Sequence, residues 1–152
     1  MELVKLTEAH IPQMVELENI CFSMPWTADM IRSELNNPSC LYLAAVDGDT
    51  LVGYIGVQTV LDEGYINNVA VRPEYRRRGI AAALISLLAE QAQAIGLAFL
   101  TLEVRESNAP AIALYEKFGF KIEGKRKQFY NNPKEDAFIM TKRFENNEDI
   151  SY

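Results

Sequence analysis

Histidine is almost absent from this chain of 152 residues, with His10 the only one. A histidine-based catalytic triad or metal site would have to rest on that residue alone. It stands just before Ile11 and Pro12, where a helix start or a surface turn is the expected role. Cysteine is nearly as scarce. Cys21 and Cys40 form no CxxC pair and no cysteine–histidine cluster, so neither a disulfide framework nor a zinc site is suggested. Basic residues are in deficit, 15 Lys and Arg against 21 Asp and Glu, for a formal net charge of −6. General nucleic-acid binding needs a basic face to neutralise phosphates, so that class is disfavoured. The opening "MELVKLTEAH" has no basic-then-apolar leader, and no apolar run approaches membrane-spanning length. A soluble cytoplasmic protein with no membrane partner is expected.

What is present is an ordinary globular composition, 49% hydrophobic and 24% charged, with no repeat or low-complexity linker to divide it. One domain spanning 1–152 is expected, with a polar tail from about 145 that frays. Glu2–Leu6 reads as a strand. Ile11, Met14, Leu17 and Cys21 recur at helical spacing, "FSMPWT" interrupts, and Thr27 can cap a second helix to about Leu35. "CLYLAAV" and "LVGYIGVQTVL" are strands joined by the turn signal Asp47–Asp49, and another strand covers about Tyr65–Val71. A helix over Ile80–Ile95 ends before Gly96, "AFLTLEV" is a strand, and a helix over Ala109–Phe118 stops at Gly119. Strands over about Phe120–Phe129 and Asp136–Phe144 flank "NNPKE". The order β-α-α-β-β-β-α-β-α-β-β mixes hairpins with helical crossovers. It implies an α+β (α/β layered) domain, a mixed sheet with helices on its faces.

One stretch is out of character for an acidic chain. "VAVRPEYRRRGIAAAL" places Arg76, Arg77 and Arg78 directly before Gly79 and a helix. A helix start offers unpaired N–H groups and the positive end of its dipole to an anion, and arginine adds charge and forked donors. The same residues also fit a solvated basic turn. The chain carries neither GxxxxGK[ST] nor GxGxxG, so a P-loop and a dinucleotide fingerprint are both excluded. What remains is R-x-x-G-x-A, at Arg76, Gly79 and Ala81.

That segment resembles the [QR]-x-x-G-x-[GA] motif of the GNAT acetyltransferases, and the resemblance extends over nearly the whole chain. "FSMPWT", "NNVAV", "YRRRGIA", "LEVRESNAPAIALYEKFGF" and "EDAFIM" are most similar to the RimI subgroup, the ribosomal-protein alanine N-acetyltransferases. The resemblance implies a GNAT-like, mostly antiparallel central sheet with helices on both faces, and acetyl-CoA as co-substrate with no metal. It implies that backbone groups of Val69, Ala70 and Val71 hold the pantetheine arm. The amides of Arg77, Arg78, Gly79, Ile80, Ala81 and Ala82 would wrap the pyrophosphate. The acceptor it implies is the N-terminal alanine of a small-subunit ribosomal protein.

Acetylating an amine requires a neutral nitrogen and a proton for the departing thiolate, and a carboxylate can serve as the base. In "FLTLEV", alternation sets Leu100, Leu102 and Val104 on one face and Phe99, Thr101 and Glu103 on the other. A carboxylate buried in an apolar strand must be paired, hydrogen-bonded or functional. An ion pair with an arginine such as Arg105 is the structural alternative, and the resemblance implies the general base. Asn108 fits a helix cap, and the resemblance adds a coenzyme contact. Tyr115 fits core packing by its spacing, whereas the resemblance implies the acid that protonates the thiolate. Phe22, Pro25, Trp26, Phe129 and Tyr130 read either as ordinary aromatics and loop residues or as a wall for a peptide N-terminus. Glu34 and Asp136 could attract a basic peptide, though nothing distinguishes them. Two other readings stay open: acetylation of a small amine, and a coenzyme-binding sensor without turnover.

Overall fold

The computed structural model describes residues 1–144; the tail expected to fray lies outside the described residues. The elements are β1 (Glu2–Lys5), α1 (Ile11–Cys21), α2 (Ala28–Leu35), β2 (Cys40–Asp47), β3 (Thr50–Val60) and β4 (Glu63–Val71). They continue as α3 (Ile80–Ala94), β5 (Phe99–Arg105), α4 (Ala109–Lys117), β6 (Lys121–Tyr130) and β7 (Glu135–Arg143). The strands order as β1-β2-β3-β4-β5-β7-β6. Pairings β1–β2, β2–β3, β5–β7 and β6–β7 are antiparallel, and β4–β5 is parallel. The mixed sheet with flanking helices that the element order implies is the one that forms, and it is mostly antiparallel as the family resemblance implies.

Backbone contacts divide the chain into two compact units. The first takes Met1–Thr59 with Ile66–Leu88, and the second takes Val60–Tyr65 with the chain from Ala89 onward. In the first, Ile11, Met14 and Leu17 of α1 and Ile31 of α2 bury against Tyr42 and Ala44 of β2 and Tyr54 of β3. Those α1 positions form the expected helical stripe. Thr27 caps α2, its Oγ1 accepting the Met30 N–H at 3.3 Å. His10 serves the helix start: its Nδ1 accepts the Thr7 N–H at 3.0 Å. From Leu51 to Val57, β3 is buried at every residue, the mark of a strand covered on both faces. The second cover includes the start of α3, since a Cβ on Gly53 would lie 3.3 Å from Ile80 Cγ2 and 2.8 Å from the Ala70 carbonyl.

In the second unit β5 shows the expected alternation, with Leu100, Leu102 and Val104 buried and the residues between them half-buried. Its register sets Leu102 against Met140 and Val104 against Phe138 of β7. Two boundaries differ from expectation. β4 begins at Glu63 rather than about Tyr65, because Gly64 is a packing glycine and not a turn: a Cβ there would lie 2.7 Å from Leu100 Cδ2. β6 runs to Tyr130, past the expected end at about Phe129, so both aromatics lie in the strand.

Candidate active site

In the first unit, β4 ends at Val71 and α3 begins at Ile80. Arg72 is buried and ties the strand end down: its Nη1 meets Glu16 Oε1 at 2.6 Å and its Nε donates to the Leu51 carbonyl at 2.5 Å. Arg76 turns back, its Nε donating to the Val71 carbonyl at 3.2 Å and its Nη2 lying 3.7 Å from Cys21 Sγ. That carbonyl is therefore already engaged from within the chain. Arg78 lies over the Tyr75 ring at 4.9 Å from its centroid. Arg77 and Gly79 both take left-handed backbone, φ +65 and +77. Only Gly79 does so without steric cost. Such alternation turns successive N–H groups toward one side of a loop and makes an anion-binding concavity. The Ala83 N–H bonds to the Gly79 carbonyl at 3.0 Å, and the amides of Ile80, Ala81 and Ala82 before it lack a helical acceptor.

The same unit holds the Phe22–Thr27 loop. Phe22 and Trp26 are half-buried and pack against the α1–β2–β3 core. The Trp26 N–H donates to Glu18 Oε1 at 2.8 Å. Glu18 is enclosed, and its Oε2 accepts from the Tyr54 hydroxyl and from Asn68 Nδ2. Glu34 accepts from Tyr42 and Asn67, at 3.1 and 3.3 Å, so that carboxylate is partly committed within the fold.

The second unit gathers Glu103, Tyr115 and Tyr130. The α4 end explains how Tyr115 is held. Gly119 takes φ +92, the Phe120 N–H bonds to the Tyr115 carbonyl at 3.0 Å, and the Gly119 N–H bonds to the Glu116 carbonyl at 3.0 Å. This Schellman closure brings Phe120 onto Tyr115, with ring centroids 5.8 Å apart. Tyr115 is 8% exposed. Its hydroxyl makes no hydrogen bond among the described residues, where no buried side-chain oxygen or nitrogen lacks one. The ring is enclosed against Phe120. Burial, with a smaller contribution from nearby Tyr130, pushes Tyr115 up to about 12. Tyr130 is also pushed up to about 12, by burial first and then by the charge of Glu103. The Arg105 guanidinium covers the Tyr130 ring at 4.3 Å. Asn108 caps α4, its Oδ1 accepting the Ala111 N–H at 3.2 Å.

Two expectations are corrected here. Glu103 is not fully buried; its side chain is 31% exposed. Its ion-pair partner is Arg126, at 3.7 Å, and not Arg105. Arg105 is taken up instead by Glu135 and by the carbonyls of Asn131 and Pro133, at 2.9–3.3 Å. An exposed pair at the Arg126 distance contributes about 1 kcal/mol or less, so the carboxylate is not locked. Asp136 accepts the Gln128 N–H at 2.8 Å and serves the hairpin. Sequence reasoning missed Glu18, Arg72, Arg126 and Glu135. The signal for Glu18 was available, as a carboxylate one turn from Met14 inside an apolar stripe. Among the described residues no group of three or more His, Cys, Asp or Glu could hold a metal ion. No helix among them is long and apolar enough to cross a membrane.

Residues 11–120 match the model of the Acetyltransferase (GNAT) family. A Bacillus subtilis protein provisionally named ribosomal protein bS18-alanine N-acetyltransferase is 40% identical over 131 residues, 86% of this chain and 87% of its own. The Escherichia coli K12 ribosomal protein bS18-alanine N-acetyltransferase is 34% identical over 137 residues, 89% of this chain and 92% of its own. The crystal structure of the Escherichia coli ribosomal-protein-S18-alanine N-acetyltransferase superposes with a TM-score of 0.86 at 33% identity, covering 93% of this chain and 92% of that one. Arabidopsis thaliana NAA60 in complex with acetyl-CoA shares the fold, with a TM-score of 0.87 at 21% identity over 94% and 98% of the two chains.

Proposed function

The chain belongs to the Acetyltransferase (GNAT) family, and from that premise we propose that it moves an acetyl group from acetyl-CoA to the α-amine of an N-terminal alanine. The acceptor is a small-subunit ribosomal protein of the bS18 kind, met in the cytoplasm, and the chain acts as one catalytic domain. Support for the acceptor comes from the relatives of that name, alike over most of both chains. The observation that carries the chemistry is Tyr115, a buried phenol near Tyr130 that burial keeps in its protonated form.

The loop before α3 fits a pyrophosphate. Left-handed Gly79 leaves open space, and the amides of Arg77–Ala82 with the helix dipole supply donors and positive potential. Arg77 and Arg78 add charge, Val69, Ala70 and Val71 offer backbone groups other than the engaged Val71 carbonyl to the pantetheine arm, and Asn108 contributes the amide nitrogen its cap leaves over. When bound, acetyl-CoA supplies the thioester that the amine attacks. Glu103, directly or through water, takes the proton the α-amine sheds; at an ordinary pKa of about 7.7–8.0 that amine needs only a modest base. Tyr115 stays protonated at neutral pH and returns a proton to the leaving sulfur. Phe22 and Trp26 in the first unit, and Tyr130 in the second, are the residues offered to the acceptor. Turnover on an Ala-initiated peptide set against a polyamine and an aminoglycoside tests this reading. Preference for the peptide is expected; preference for a small amine, or no turnover, overturns it.

A further inference from the structure

One buried carboxylate has no part in the chemistry above. Glu18 is 1% exposed on α1, and the groups that meet it are neutral donors. They are the Trp26 N–H at 2.8 Å, Asn68 Nδ2 at 3.3 Å and the Tyr54 hydroxyl. Burial pushes its carboxyl up from the ordinary range, with the Trp26 bond pulling the other way. Enclosing such a group among neutral partners is costly, and an apolar side chain of similar size would fill the space more favourably. What a carboxylate adds is direction. It joins α1 to the Phe22–Thr27 loop, to β3 and to β4 at one point, and its β4 partner Asn68 directly precedes Val69–Val71.

We infer that Glu18 is a positioning residue for the acceptor: it anchors the loop bearing Trp26 to β4 and so sets how tightly a peptide N-terminus is held. The inference rests on the reading of Trp26 as part of the acceptor wall. An acceptor-only group is required, because all three partners present hydrogens to it. Glu18→Gln keeps the volume and turns one oxygen into a donor facing Tyr54 and Asn68. Those two would have to reorient, and the anchor would slacken without leaving a cavity.

Trp26 is the only tryptophan in the chain, so its fluorescence reports the loop with no need for turnover. In Glu18→Gln, acrylamide quenching of Trp26 should rise. The KM for an Ala-initiated peptide should rise about tenfold, the scale of one charge-assisted hydrogen bond. Turnover at saturating peptide and affinity for acetyl-CoA should stay within roughly twofold, the pattern of lost uniform binding. Unchanged quenching, an unchanged peptide KM, or an equal fall in turnover and coenzyme affinity would each overturn the inference. Should Glu18→Gln fail to fold, Tyr54→Phe removes one donor without emptying the core. It must shift quenching and KM the same way by a smaller factor, and no shift refutes the anchor. If the unaltered protein acetylates no peptide, the proposed function fails, and quenching alone then decides the role of Glu18.

Discussion

Gly79→Ala separates two things that a larger substitution would confuse. A Cβ at position 79 meets no protein atom within 4 Å, so the fold does not resist it sterically. The cost is the backbone: φ there is +77, and an L-residue held in that region costs about 1–2 kcal/mol. For a chain of this size that lowers Tm by roughly 2–8 °C, well short of unfolding it at room temperature. The new methyl nevertheless takes up part of the open space at position 79, the space into which the proposed pyrophosphate would fit. Losing one or two charge-assisted hydrogen bonds there weakens acetyl-CoA binding by about tenfold to several hundredfold. Calorimetric titration and a thermal melt on the same sample read both quantities. A lowered Tm with unchanged acetyl-CoA affinity would refute the phosphate-cradle assignment. A much larger loss of stability would show that the loop is chiefly structural.

Tyr115→Phe keeps the packing on Phe120 and removes the acid, and Glu103→Gln keeps size and removes the base. Each should lower turnover by about 10²–10⁴-fold while acetyl-CoA binding persists, measured by steady-state kinetics beside calorimetry. Near-normal turnover would return that residue to a structural role. Tyr115 and Tyr130 are both pushed up to about 12, which ties stability to pH. A folded-state value above the ordinary phenol value of about 10 means the stabilisation is complete below pH 10 and is lost as pH rises toward about 12. Urea midpoints taken across that window should fall, and Tyr115→Phe should flatten the fall; a slope equal to that of the unaltered protein would contradict the cause assigned here.

Much of this architecture is written locally. Thr27 before an amphipathic run, Gly119 after "YEKF" and the alternation of Leu100, Leu102 and Val104 each act through neighbours in the chain, and each appears where its pattern predicts. The arginine–glycine stretch was legible for the same reason, since a strand, a loop and a helix start follow one another within it. What was not legible depends on pairing between distant segments. Gly64 looks like a turn residue until Leu97 and Leu100 are placed against it. Arg126 reaches Glu103 only because β6 and β5 lie on either side of β7, whereas Arg105, nearer in sequence, is drawn to the carbonyls of the β6–β7 turn. Glu18 stands out in the sequence as a carboxylate within an apolar stripe, but its partners Tyr54 and Asn68, 36 and 50 residues away, are legible only in the fold.

The central claim is that the acceptor is a peptide α-amine. A peptide beginning with Ala and carrying an internal lysine, incubated with acetyl-CoA and fragmented by mass spectrometry, tests it most directly. A lysine side chain, with a pKa of about 10.4, offers far less neutral amine near pH 7 than an α-amine of about 7.7–8.0. The acetyl group is therefore predicted on the N-terminal nitrogen alone, and the same peptide with a blocked N-terminus should remain unmodified. An acetyl group on the lysine, or robust modification of the blocked peptide, would contradict the account.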